Sequence, residues 1–228
     1  MPLDARTIVE RNSLFRGLAA EILDEIVKLA SRRSCEEGTV VFLRGDPGDS
    51  LYGVITGRVR ISVSGPGGKE VFLNIMEPGE SFGEIALLDG EPRTATATAL
   101  AQTELLVLRR EHFVALLGRE PSIALHLIRL LCRRARWTSE LMEDSALLDA
   151  PARLAKRLLS LATLHGRETP DGPKLSISQE ELAQFLGLSR QIVNQHLQAW
   201  RAKGWISLGR GSVTISNKRG LGSVARDA

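Results

Sequence analysis

Three textures follow one another along this chain of 228 residues. Between residues 19 and 30, apolar Ile22, Leu23, Ile26, Val27 and Leu29 recur at helical spacing and predict a short amphipathic helix. From residue 34 to 109 the rhythm shortens. β-Rich runs at 39–43, 51–56, 58–64 and 70–76 alternate with Gly/Pro/Asp clusters at 45–49, 56–57, 65–68 and 77–80, and runs at 95–99 and 103–108 close the set. Short strands separated by regular turns predict a compact antiparallel sandwich or roll. Within it, residues 81–99 read as strand, sharp turn, one helical turn, loop and strand, because Ile85-Ala86-Leu87-Leu88 is too short for a core helix and meets a turn at Asp89-Gly90.

The third texture is helical. Residues 111–117 predict a short helix, and Pro121 suits the first turn of the next. Residues 122–148 then run without Pro or Gly, with Leu125, Ile128, Leu131, Cys132, Ala135, Thr138, Leu141 and Met142 in a stripe near heptad spacing. Such a helix is longer than a small roll needs, so the stripe is expected to pack against its copy in a parallel pair, giving a homodimer. Asp149 and Pro151 open another helix to residue 165, with Leu154, Leu158, Leu159 and Leu161 inward, and a loop follows at 166–174. Ser178 with Glu181 forms a capping box for a helix over 179–186 ended by Gly187, and Ser189 caps a second helix over 190–203 ended by Gly204. Two helices joined this tightly predict a helix-turn-helix, with Ala183 at the crossing and Leu182, Leu188, Ile192, Val193 and Leu197 buried. Residues 205–216 predict a hairpin wing, and the polar, Gly-rich stretch 217–228 is expected to be disordered. The fold class is α+β, in three parts: a jelly-roll-like β-roll over 1–119, a central dimerisation helix over 120–148 and a winged helix-turn-helix over 149–228.

Charge divides along the same line. Residues 1–119 hold 14 Lys/Arg against 17 Asp/Glu, and residues 120–228 hold 16 against 10, so the basic excess belongs to the second half, where a nucleic-acid surface is to be sought. No apolar run approaches the roughly 18 residues that span a bilayer, and the first residues lack a signal core, so no membrane association and a cytoplasmic location are expected. Cys35 and Cys132 lie far apart without CxxC spacing, which predicts neither a disulfide framework nor a cysteine metal site.

The residues richest in chemistry lie in 81–99. Gly83 permits close approach of the backbone to a ligand, and the amides of Ile85 and Ala86 at the start of the helical turn suit an anion. Arg93 adds a cationic fork and Thr94 a hydroxyl. A carboxylate beside such an anion is repulsive unless it accepts a hydrogen bond from the same ligand, so Glu84 calls for a ligand with an anion and a hydroxyl a few ångströms apart. A ribose 3′,5′-cyclic phosphate has that shape. In the second half, Arg190, Gln191, Asn194 and Gln195 face outward early on the second helix of the helix-turn-helix, where Arg suits guanine and Asn or Gln suits adenine in the major groove of double-stranded DNA. Ser178, Ser189 and Arg210 are candidate phosphate contacts that set register.

FGEIALLDGEPRTATATA resembles the phosphate-binding cassette of cyclic-nucleotide-binding domains, and the second half resembles the winged helix of the bacterial cyclic-AMP receptor protein/fumarate-nitrate regulator (Crp/Fnr) superfamily. The resemblance implies that Glu84 binds the ribose 2′-hydroxyl and that Arg93 and Thr94 bind the cyclic phosphate. It also implies that Thr138 and Ser139, in a polar cluster with Arg134 on the long helix, reach the purine from both subunits. The function implied is a dimeric transcription regulator responsive to cyclic nucleotide, cyclic AMP in the first instance, acting on a palindromic operator with RNA polymerase as partner. Thr94 stands where the bacterial proteins usually carry Ser and where Thr in eukaryotic relatives often favours cyclic GMP, so the base stays open. Arg190-Gln191 and Asn194-Gln195 stand where the best-known members carry Arg-Glu and Gly-Arg, so the half-site is expected to differ outside the guanine contact.

Other readings are fewer. Two isolated cysteines cannot supply a four-thiolate iron–sulfur cluster, and His112, His126, His165 and His196 show no ligand pairing, so neither cluster, haem nor metal is expected. No GxSxG, HExxH or paired-carboxylate motif appears, so the chain is not expected to be an enzyme. A regulator of the same superfamily that answers to another small molecule or is constitutively active, and a cyclic-nucleotide-binding regulatory protein that does not bind DNA, remain alternatives.

Overall fold

The computed structural model describes residues 5–65 and 70–225, which divide into two compact units between Ala135 and Arg136. The first unit opens with α1 (Ala5–Arg11) and α2 (Ala20–Leu29), then β1 (Ser31–Cys35), β2 (Val40–Phe42), β3 (Ser50–Thr56), β4 (Val59–Ser64), β5 (Glu70–Met76) and β6 (Ser81–Phe82). Helix α3 (Glu84–Asp89) interrupts the strands before β7 (Thr96–Ala99) and β8 (Thr103–Arg109), and α4 (Arg110–Arg119) and α5 (Pro121–Leu147) follow.

Alternation of buried and open positions folds these strands into two four-stranded antiparallel sheets, ordered β1-β8-β3-β6 and β2-β7-β4-β5. Between the sheets lie Val41, Tyr52, Val54, Val59, Met76, Phe82, Ala97, Ala99 and Leu105. Strand β3 is buried at every position but its last, because its other face meets a second core of Val9, Leu14, Phe15, Ile26, Phe113, Leu116, Ile123 and Leu127 from the surrounding helices. Residues 66–68 of the Gly-rich cluster at 65–68 lie outside the described residues.

Two elements of this unit leave no periodic trace in the sequence. Strand β1 (SRRSC) buries only Cys35, because it is an edge strand whose place comes from pairing with β8 in the register Ser31↔Val107 to Cys35↔Thr103. Helix α1 is seven residues long and stands on Ile8 and Val9.

The second unit carries the rest of α5, then α6 (Ala150–His165), β9 (Lys174–Leu175), α7 (Gln179–Leu186), α8 (Arg190–Ala202), β10 (Ile206–Gly209), β11 (Ser212–Ile215) and α9 (Lys218–Val224). The local signals operate as read. Asp149 accepts from the Ala152 amide at 3.0 Å, the Ser178/Glu181 box closes in both directions, and Ser189 accepts from the Ile192 amide. Strands β10 and β11 form the wing, with β9 added to their sheet.

Two expectations are corrected. Residues 217–225 are ordered rather than disordered, and residues 226–228 of that stretch lie outside the described residues: Asn217 caps α9, Leu221 is fully buried, and α9 packs on α6. Gly220 is required there, since a Cβ would stand 2.7 Å from the indole of Trp205. Composition misled because one buried leucine and one steric contact hold a helix that is polar elsewhere. Of the helix-turn-helix core expected from the sequence, Leu188 is only half-buried and Ile192 is 37% exposed, whereas Val193, Leu197 and Trp200 supply the inward stripe of α8. Ile192 sits one residue off that stripe, about 100° around the helix, on the edge of its outward face.

Leu221→Ala is expected to destabilise the second unit by about 2–5 kcal/mol through loss of buried apolar volume. Urea unfolding followed by circular dichroism measures it, and an unchanged midpoint would mean that α9 contributes nothing to the fold.

Candidate functional site

The cassette is built around two buried charges. Gly83 has φ +84° and precedes α3 as its N-cap, with no side chain capping the helix. Any Cβ at Gly83 would strain the backbone and stand 2.7 Å from Arg93 Nη1. The next residue, Glu84, is 0% exposed. Arg134 of α5 donates through Nη1 to Glu84 Oε1 and through Nη2 to the Ser81 carbonyl, so one guanidinium grips both sides of the turn. Glu84 Oε2 is buried and has no hydrogen-bond partner among the described residues.

Arg93 is 3% exposed and lies beneath the same turn. It donates to the Gly83 carbonyl at 2.7 Å and to the Ser50 carbonyl at 2.8 Å, with Asp49 at 3.9 Å, and its Nε has no partner among the described residues. The guanidinium carbon lies 4.3 Å over the ring of Phe42 and 5.6 Å over that of Tyr52, and Tyr52 stacks on Phe82 at 5.3 Å. Burial lowers the Arg93 pKa, and Tyr52, Asp49 and Glu84 oppose the shift. An aromatic tray and two carbonyls thus fix the cation's plane while leaving donors unspent.

The remaining residues expected in the cassette are distributed as follows. Ala86 is buried; Ile85 is 39% exposed and Thr94 is exposed beside Arg93. Thr138 and Ser139 are exposed on α5 and belong to the second unit, so of the three polar residues on that helix only Arg134 shares a unit with the cassette. The stripe on α5 is largely open: Leu125 is 55%, Ile128 54% and Met142 70% exposed, and Cys132 is exposed.

Sequence reasoning missed four contributors to this site. Asn12, at the end of α1, accepts from Ser81 Oγ at 2.7 Å and from the Leu14 amide, pinning the strand whose carbonyl Arg134 holds. A lone asparagine in a loop carries no pattern that reveals this. Phe42 and Tyr52 read as ordinary core residues, and a cation beneath them is visible only in three dimensions. Arg110, whose Nε donates to the Leu87 carbonyl at 2.8 Å, ties α4 to α3.

In the second unit, Arg190, Gln191, Asn194 and Gln195 are all exposed on the first two turns of α8. Asn194 Oδ1 accepts weakly from Gln198 at 3.3 Å. Ser178 and Ser189 spend their oxygens on helix caps, and Arg210 is exposed at the wing tip between β10 and β11. Four polar side chains with Ile192 beside them form a surface that offers donors, acceptors and one apolar contact.

A roll carrying this cassette, followed by a winged helix-turn-helix, defines a DNA-binding transcription regulator with a cyclic-nucleotide-binding domain. Residues 32–120 match the cyclic nucleotide-binding domain model, and residues 152–224 match the Crp-like helix-turn-helix domain model. The chain is 36% identical over 223 residues to the CRP-like cAMP-activated global transcriptional regulator of Mycobacterium tuberculosis, covering 96% of this chain and 99% of the relative. It is 38% identical over 212 residues to the cyclic AMP receptor protein of Thermus thermophilus, covering 93% and 96%. Among solved structures, the Thermus thermophilus catabolite activator protein matches with 37% identity and a TM-score of 0.56 over 95% of this chain and 99% of that one. The c-di-GMP responsive global regulator CLP of Xanthomonas campestris matches with 26% identity and a TM-score of 0.76 over 86% and 99%. The chain belongs to the Crp/Fnr family of transcription regulators, and these relatives are regulators rather than enzymes. No helix among the described residues is long and apolar enough to cross a membrane.

Arg134→Ala is expected to leave the Glu84 carboxylate buried without its cation and to destabilise the first unit by about 3 kcal/mol. Thermal melting measures it. A variant as stable as the wild type would mean that the pair adds nothing to the roll.

Proposed function

We propose that this protein is a homodimeric, cyclic-AMP-responsive regulator that binds a palindromic operator, acts in the cytoplasm and contacts RNA polymerase. The observation that carries the ligand reading is the state of Glu84: one oxygen is held by Arg134, and the other is buried with no partner among the described residues. A buried carboxylate oxygen without a donor is costly. A ribose 2′-hydroxyl supplies that donor, while the cyclic phosphate takes the free donors of Arg93, the Thr94 hydroxyl and the amides of Ile85 and Ala86 beyond Gly83.

Cyclic AMP is favoured over other nucleotides by two relatives at 36% and 38% identity, a cAMP-activated regulator and a cyclic AMP receptor protein, and by the Thr138–Ser139 pair, proposed to meet the purine across the dimer. Thr94 makes cyclic GMP the competing ligand to test. The open stripe of Leu125, Ile128, Cys132 and Met142 is the proposed dimer seam. Pairing along it presents two copies of α8, whose spacing of about 34 Å in the DNA-bound state matches one helical turn. On each copy, Arg190 is the proposed guanine contact, Gln191, Asn194 and Gln195 read adjoining bases, and Ile192 suits a thymine methyl. Ser178, Ser189 and Arg210 are the proposed phosphate contacts. The nucleotide acts by binding one dimer state more tightly than the other.

Calorimetry with cyclic AMP and cyclic GMP tests the ligand. Micromolar binding of cyclic AMP, weaker binding of cyclic GMP and at least a tenfold loss in Arg93→Ala are expected, and no binding of either overturns the reading. Sedimentation tests the seam: Ile128→Glu is expected to shift the protein from dimer to monomer. Arg190→Ala is expected to cost about 1–3 kcal/mol in operator binding and to relax the preference at one base pair. Unchanged DNA affinity in that variant would favour a nucleotide-binding protein that does not read DNA.

A further inference from the structure

Beyond the ligand and DNA contacts, one buried cation in the second unit has no role in either. Arg157 of α6 is 5% exposed. Its guanidinium carbon lies 4.4 Å over the ring of Trp137 on α5 and 4.6 Å over the ring of Phe185 on α7. Trp137 immediately precedes Thr138 and Ser139, and α7 is the first helix of the helix-turn-helix, where Leu182, Ala183 and Phe185 are buried. One side chain therefore touches the long helix next to its proposed purine contacts and the helix that seats α8.

The electrostatics of this contact are poor. Arg157 Nε and Nη2 are buried and find no acceptor among the described residues, and the same is true of Trp137 Nε1 and of Arg153 Nε one turn earlier on α6. Burial pushes the Arg157 pKa down to about 10, and Asp144, the anion that opposes the shift, is already paired with Lys156. A buried cation with unspent donors is a weak source of stability, and an apolar side chain of similar volume commonly does as well or better. With Nε and Nη2 unpaired among the described residues, the guanidinium is positioned chiefly by the two rings, so a movement of either ring alters its contacts.

We propose that Arg157 is the joint through which the state of the long helix reaches the helix-turn-helix, with Trp137 and Phe185 as its two bearing surfaces. The inference rests on the nucleotide-responsive reading above. Arg157 is a positioning residue: it touches neither nucleotide nor DNA, and it couples their binding sites.

The test compares full-length wild type with Arg157→Met, using cyclic AMP and a duplex selected from a random-sequence pool by the wild type in the presence of cyclic AMP. In the wild type, cyclic AMP is expected to raise affinity for the duplex by about 5- to 150-fold, and the duplex to raise affinity for cyclic AMP by the same factor. In Arg157→Met both factors are expected to fall below about twofold, with cyclic AMP affinity in the absence of DNA within threefold of wild type, about 0.7 kcal/mol, and a thermal midpoint no lower. Arg157→Lys, which keeps the charge over the rings, is expected to recover part of the factor. Should Arg157→Met fail to fold, Phe185→Leu and Trp137→Leu each remove one bearing surface and are expected to lower the same factor. A wild-type factor preserved in these variants overturns the joint and leaves the nucleotide reading standing. No enhancement in the wild type overturns both.

Discussion

A carboxylate removed entirely from water organises the first half of this protein. Glu84 cannot be buried for its own sake, because desolvating a charge costs several kcal/mol unless a partner is held close. The fold supplies that partner from the long helix: Arg134 reaches Glu84 and the Ser81 carbonyl together, so the cassette turn and α5 are fastened by one side chain. Several neighbouring features serve the same arrangement. Gly83 turns the chain with positive φ where a Cβ would meet Arg93, Asn12 holds Ser81 from the other side, and Arg93 is fixed on Phe42 and Tyr52. The outcome is a pair of buried opposite charges on the two sides of one turn, each with hydrogen-bonding capacity left over.

The second half is organised by local chemistry. Its helices begin where Asp149, Ser178 and Ser189 cap them, and Gly187 turns the chain between α7 and α8. Rigid caps make α8 a fixed platform, so its outward side chains project from known positions. On the proposed reading a ligand signal acts by moving the whole platform, and contacts that span helices, such as Arg157 on Trp137 and Phe185, are the natural place for that movement to be felt.

This contrast explains what was legible in the sequence. Caps, glycine stops and the strand–turn rhythm are written in neighbouring residues, so the helix-turn-helix, the wing and most strands of the roll appear within a residue or two of their places. The cassette was legible because Gly83, Glu84, Arg93 and Thr94 lie within twelve positions of one another. Elements stabilised from a distance were not. Strand β1 depends on β8, α9 depends on Leu221 and on Gly220 against Trp205, and Ile192 lies at an edge that only the packing of α7 and α8 defines. Arg157 follows a lysine in an amphipathic helix and reads as a solvated charge, yet it is buried between aromatic rings.

The central claim is that the unpartnered oxygen of Glu84 waits for a ribose hydroxyl. Calorimetric titration with cyclic AMP and with 2′-deoxy cyclic AMP tests it most directly, since the two differ in that one group. Loss of the hydroxyl is predicted to weaken binding by about 10- to 100-fold, the cost of a hydrogen bond to a buried charged acceptor. Equal affinity for the two nucleotides would contradict the account.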